Sequence, residues 1–114
     1  MITVRVQTEA FDLGAETHAL SDGRTDIGAV ASFVGLVRGG EIEAMTLEHY
    51  PAMTAKALKA IAVEAAERWP LLGGTVIHRH GRLLPGDPIV LVAIAAAHRG
   101  DAFAACAFIM DYLQ

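Results

Sequence analysis

A chain of 114 residues is the length of one domain, and folding removes roughly 65% of such a chain's unfolded surface from water, so neither disulfides nor a structural metal are needed. The net charge of −4 argues against general affinity for nucleic acid or an acidic membrane surface, and the one cysteine, Cys106, excludes an internal disulfide and fits a reducing compartment. No run reaches the roughly 18 apolar residues of a membrane span, and Arg5 and Glu9 stand where a signal-peptide core would be, which predicts a soluble, cytoplasmic protein.

In chain order, ITVRVQT (2–8) alternates Ile2, Val4 and Val6 with polar residues, the period of a half-buried edge strand. Residues 13–21 predict a short helix closed by Ser21, Asp22 and Gly23. IGAVASFVGLV (27–37) is apolar almost throughout and predicts a strand buried on both faces. RGGE (38–41) is a turn signal and IEAMTLEHY (42–50) alternates again, so the two segments predict a hairpin. A helix is predicted from Pro51 to about Trp69, with Met53, Ala57, Leu58, Ile61, Ala65 and Trp69 on one face and Lys56, Lys59 and Glu67 elsewhere.

PLLGG (70–74) breaks that helix, TVIHRHGRL (75–83) predicts a strand, and PGD (85–87) a turn. PIVLVAIAAAH (88–98) is a central strand by composition, and Gly100 and Asp101 open a final helix with Asp101 as N-cap. The whole predicts an α+β sandwich, helices on one face of a mainly antiparallel sheet. The hydrophobic content of 54% exceeds the roughly 45–50% of ordinary domains, much of it as alanine, and leaves apolar surface that a partner could cover.

Chemistry concentrates at strand ends. The central strand delivers His98 and Arg99 to its C-terminal end, where the next helix presents free N–H groups and its positive dipole end. An isolated His-Arg pair more often marks emergence into solvent. Arg38 changes that balance, because it stands at the mouth of the other apolar strand beside two glycines. If those strand ends are neighbours, the cations meet in one pocket suited to a phosphate.

His78 and His80 have the H-x-H spacing of a zinc pair but no third ligand nearby, so no metal site is expected. Cys106, mid-helix among alanines, reads as a small buried thiol rather than a nucleophile. Glu48 and His49 are sequence neighbours on a strand and point to opposite faces, so they form no acid–base dyad. No phosphate-binding glycine loop or hydrolase motif occurs.

SFVGLVRG (32–39), LEHYPAMTAKAL (47–58), VIHRHGRLLPGD (76–87), AAAHR (95–99) and FIMDYL (108–113) resemble, in order and spacing, the large subunit of molybdopterin synthase. The resemblance implies an α/β hammerhead-type α+β fold and a homodimer within a heterotetramer, a ubiquitin-like small subunit docked at each outer end. It implies a sulfur transferase of molybdenum cofactor biosynthesis, in which the small subunit's C-terminal thiocarboxylate enters a pocket near the dimer contact. There, two sulfurs convert cyclic pyranopterin monophosphate to the dithiolene of molybdopterin. The substrate is the only small molecule implied, with no resident cofactor.

Carried over by position, the arginine closing the family's F-x-G-x-V-R strand is Arg38, with Leu36 and Val37 on the same wall and Phe33 further back. The family's His-Arg pair is His98 and Arg99. The family lysine after D-Y-L, treated as catalytic, is Gln114 here, and an amide supplies neither an ammonium to an oxyanion nor an amine nucleophile. A second family lysine belongs to a following A-P-x-W-K segment, a C-terminal catalytic tail that residues 1–114 do not include. Three readings stand open: a working synthase subunit; a truncated form or non-catalytic paralogue that grips the pterin phosphate or the small subunit without turnover; and an unrelated phosphate-binding domain.

Overall fold

The computed structural model describes residues 1–39, 45–47 and 51–113. In chain order the elements are β1 (Ile2–Gln7), α1 (Leu13–Ser21), β2 (Ala29–Leu36), β3 (Met45–Leu47), α2 (Pro51–Arg68), β4 (Leu71–Arg79), β5 (Gly81–Leu83), β6 (Pro88–Ala96) and α3 (Arg99–Leu113). A four-stranded sheet runs β1-β4-β6-β2, and β3 with β5 makes a separate two-stranded sheet. β1 lies parallel to β4; the other pairs are antiparallel. This is the expected α+β architecture, with a mainly antiparallel sheet and helices packed on it.

β6 is the centre because its side chains can be buried on both faces at no polar cost. Val90, Val92, Ile94 and Ala96 join Leu58 and Ala65 of α2 and Ala102, Ala105, Cys106 and Ile109 of α3. Leu91 and Ala93 point the other way and, with Ile77, meet Phe11, Leu20 and Val34. Helices therefore do not keep to one face: α2 and α3 cover one side, and α1 contributes Leu20 to the other. Asp12 caps α1, its carboxylate accepting from the Ala15 N–H at 3.2 Å. α2 and α3 are tied together by Trp69 and Phe108, edge to face at 5.5 Å, with the Arg68 guanidinium 4.5 Å from the Phe108 centroid.

Several expectations give way. Among the described residues the predicted hairpin between 27–37 and 42–50 is not seen: β2 pairs with β6, and β3 with β5. Two long apolar strands bury more against each other than either could against the three-residue β3, and sequence adjacency guides strand pairing only part of the time. β2 is consequently an edge strand rather than one buried on both faces, with Phe33 41% and Leu36 59% exposed.

The strand predicted for 75–83 is two strands, separated where Gly81 takes φ +92°, and β4 begins directly after Pro70. Gly73 and Gly74 thus lie inside a strand. At Gly74 a methyl group would sit 3.0 Å from Ile94 Cδ1 and 3.1 Å from the Ala93 carbonyl, so tight packing of the sheet favours glycine there. On α2 the buried row is Leu58, Ala62 and Ala65, while Met53 is exposed. α3 starts at Arg99, so Asp101 lies in its first turn and complements the helix dipole instead of capping it.

Candidate functional site

The predicted residues fall into two sets. The first surrounds the end of β2. After a register shift at Gly35/Leu36, the Val37 N–H donates to the Asp87 carbonyl at 2.9 Å and the Val37 carbonyl accepts from the Gly86 N–H at 2.8 Å. The turn that grips it has Pro85 followed by Gly86 at φ +90°, and closes with the Asp87 N–H on the Leu84 carbonyl at 2.9 Å. The Asp87 carboxylate also accepts from the Leu84 N–H at 2.8 Å. Val37 is 5% exposed, so it anchors the strand end while Arg38 and Leu36 project outward and Phe33 lies further back on the same strand.

The second set stands at the end of β6. His98 and Arg99 are both exposed, His98 directly ahead of α3 and Arg99 its first residue. The His98 carbonyl accepts from the Ala102 N–H at 3.4 Å, leaving the N–H groups of the first turn free to face an anion. This corner is packed against the start of β2: the Gly28 N–H donates to the Ala96 carbonyl at 3.0 Å. A methyl group on Gly28 would lie 2.1 Å from the Ala97 carbonyl oxygen. The preceding loop is held by Arg24, paired with Asp26 at 2.6 Å and donating to the Leu72 carbonyl at 3.2 Å.

Within one chain these sets do not meet. β2 and β6 are antiparallel, Ala29 opposite Ala96 and Leu36 opposite Pro88. Arg38 therefore leaves the sheet at the end opposite to His98 and Arg99, on the order of 30 Å away at about 3.3 Å per strand residue. The expectation that the strand ends are neighbours is corrected: C-terminal ends of adjacent strands meet only when the strands are parallel. α3 spans the gap, since the Cys106 thiol lies 3.9 Å from the Val92 carbonyl and Leu113 packs on the core. Its C-terminal end thus returns towards the Arg38 end.

The remaining candidates are structural. Cys106 is buried, and desolvation pushes its thiol pKa up, the opposite of an activated nucleophile. His78 Nδ1 lies 2.9 Å from the Arg79 carbonyl and the His80 N–H donates to the Gln7 carbonyl at 2.9 Å. Among the described residues no cluster of His, Cys, Asp or Glu could hold a metal. Glu48, His49 and Gln114 lie outside the described residues. An open apolar groove of about 290 Å³ between β1 and α2, lined by Ile2, Lys59, Ala62 and Val63, contains none of the predicted site residues. Among the described residues no helix is long and apolar enough to cross a membrane.

Comparison with known proteins bears on the family and the fold. The family model described as MoaE protein matches residues 6–114. A molybdopterin synthase catalytic subunit from Ralstonia nicotianae is 59% identical over 100% of this chain and 67% of its own length. The solved structure of a molybdopterin biosynthesis MoaE protein from Burkholderia ambifaria superposes with a TM-score of 0.91 at 58% identity, covering 99% of this chain and 76% of that one. The fold also occurs, at 23% identity and TM-score 0.74 over 96% of this chain and 76% of that one, in a protein–protein complex of subunits 1 and 2 of molybdopterin-converting factor from Helicobacter pylori. With a family model matching residues 6–114 and relatives this similar over the whole chain, the chain belongs to the MoaE family.

Proposed function

We propose that this protein is the catalytic large subunit of molybdopterin synthase, acting in molybdenum cofactor biosynthesis in the cytoplasm. Its substrate is cyclic pyranopterin monophosphate, and its partner is a ubiquitin-like small subunit carrying a C-terminal thiocarboxylate. In each transfer a C–S bond replaces a C–O bond of the pterin side chain, whose oxygen leaves with the opened phosphate ester or as water, and the C–S bond to the partner's terminal carbonyl breaks. Water supplies the oxygen that leaves the partner as a carboxylate. Two such transfers build the dithiolene.

Arg38, His98 and Arg99 hold the phosphate and pterin, with Leu36, Val37 and Phe33 forming or supporting the apolar wall. The single observation that carries this reading is the position of these exposed cationic groups, at strand ends braced by backbone hydrogen bonds, in a chain of this family. Because the two sets stand at opposite ends of one sheet, the pocket draws on two copies of the chain, a homodimer within a heterotetramer. Arg38 comes from one copy, and His98 and Arg99 from the other.

The non-catalytic alternative has no observation in its favour, since the relatives at 44–59% identity are named catalytic subunits. The deciding experiment mixes the protein with thiocarboxylated small subunit and cyclic pyranopterin monophosphate and follows the pterin by mass spectrometry. Incorporation of two sulfurs is expected. A pterin that binds but gains no sulfur would favour the non-catalytic reading, and absence of binding would overturn the assignment altogether.

A further inference from the structure

The sheet end from which Arg38 emerges is where the backbone ladders run out. β2 loses its regular register at Gly35/Leu36, and the last braced residue before Arg38 is Val37, whose N–H and carbonyl are taken by Asp87 and Gly86. The strand that follows this turn begins at Pro88, which faces Leu36 but has no N–H to give to a neighbour. On its other side the β4–β6 pairing ends at His78 opposite Val90, and the β1–β4 pairing ends at Gln7 opposite Arg79. The carbonyls of Thr8 and Pro88 lie just past those last pairs and need donors from elsewhere.

Arg79 supplies them. Its Nη1 donates to the Pro88 carbonyl at 2.9 Å, while Nη2 and Nε donate to the Thr8 carbonyl at 3.0 and 3.2 Å. One half-buried side chain on β4 thus ties the end of β1 to the start of β6 and carries both ladders one step further. The task suits a guanidinium, which presents several donors in one rigid plane, and not an ammonium, whose donors share a single nitrogen.

We infer that Arg79 is a positioning residue for the anion site, acting through Arg38 rather than on the ligand. The guanidinium fixes the start of β6, the start of β6 fixes the Asp87 turn, and that turn fixes Val37, so Arg38 leaves the sheet in one direction. Without Arg79 the Thr8 and Pro88 carbonyls turn to water and the turn is free to shift against β4. Arg38 is then spread over several orientations, and apparent affinity falls with the fraction that meets the phosphate. The inference rests on the reading of Arg38 as a phosphate-binding group.

A double-mutant cycle read by calorimetry with cyclic pyranopterin monophosphate tests it. Arg79→Ala should weaken binding about tenfold, the scale of one or two net hydrogen bonds, and should weaken it no further in an Arg38→Ala background. Arg79→Lys keeps the charge but spans only one of the two carbonyls, so about a threefold loss is expected, again absent beside Arg38→Ala. If Arg79→Ala fails to fold, the lysine variant completes the cycle alone. Native affinity in both Arg79 variants would overturn the inference. So would a loss of equal size in the Arg38→Ala background, the behaviour of a general charge effect or of a merely loosened fold. Pterin binding by the unsubstituted protein in the same titrations would leave the proposed function standing in either case, whereas its absence would count against that function and not against Arg79 alone.

Discussion

Replacing Gly28 by alanine is expected to cost about 3 kcal/mol of stability, the upper range for forcing an extra methyl into packed surroundings. The cause is steric rather than torsional. Gly28 is not among the glycines with positive φ, but its methyl would stand 2.1 Å from the Ala97 carbonyl oxygen, inside any permitted contact. The neighbour is backbone, fixed by the Gly28 N–H bond to Ala96 and by the Ala29–Ala96 pairing, so no flexible side chain can yield. Either the start of β2 or the His98 corner must move. Gly100→Ala, a few residues away, meets nothing within 4 Å and sits in the first turn of α3, so it should be neutral or slightly stabilising. Urea denaturation of both variants checks the pair; a Gly28→Ala cost no larger than that of Gly100→Ala would contradict the close approach.

Arg38→Ala and Arg99→Ala should each weaken cyclic pyranopterin monophosphate binding by about 1–3 kcal/mol, or roughly 5- to 150-fold. Both arginines are exposed in the single chain, so stability should change by no more than about 0.5 kcal/mol. The effect is therefore on the ligand and not on the fold. Lysine in either place should recover only part of the affinity, since an ammonium lacks the planar fork that grips a phosphate with two parallel bonds. Calorimetry reads the result directly, and an unchanged affinity in either variant would remove that arginine from the site.

Much of this architecture is legible in the residues. The β6 run is so apolar that a central position is the only place for it, the SDG turn closes α1, and Pro51 and Pro70 bracket α2. The positions of the cations were also readable, since Arg38 does follow the end of β2 and His98 and Arg99 the end of β6. What the chain could not convey was which strands are neighbours and in what direction. IGAVASFVGLV has the same composition whether it lies mid-sheet or at an edge, so its exposure was hidden. The same ambiguity placed Arg38 beside His98: strand periodicity states that each residue ends a strand, but only the antiparallel register separates them. The β4–β5 break was masked because a single Gly81 at φ +92° ends one sheet and starts another inside a run that alternates throughout.

The central claim is that the pocket is complete only across two copies, and mixing two defective variants tests it most directly. Arg38→Ala and Arg99→Ala, unfolded or dissociated together and reassembled, form mixed dimers in which one site carries both lesions and the other carries neither. Sites of native affinity for cyclic pyranopterin monophosphate, absent from each variant alone, should return at about a quarter of the native site number for random two-fold assembly. No recovery on mixing, with mixed dimers shown to be present, would mean that each pocket is built from a single chain, and the account would be wrong.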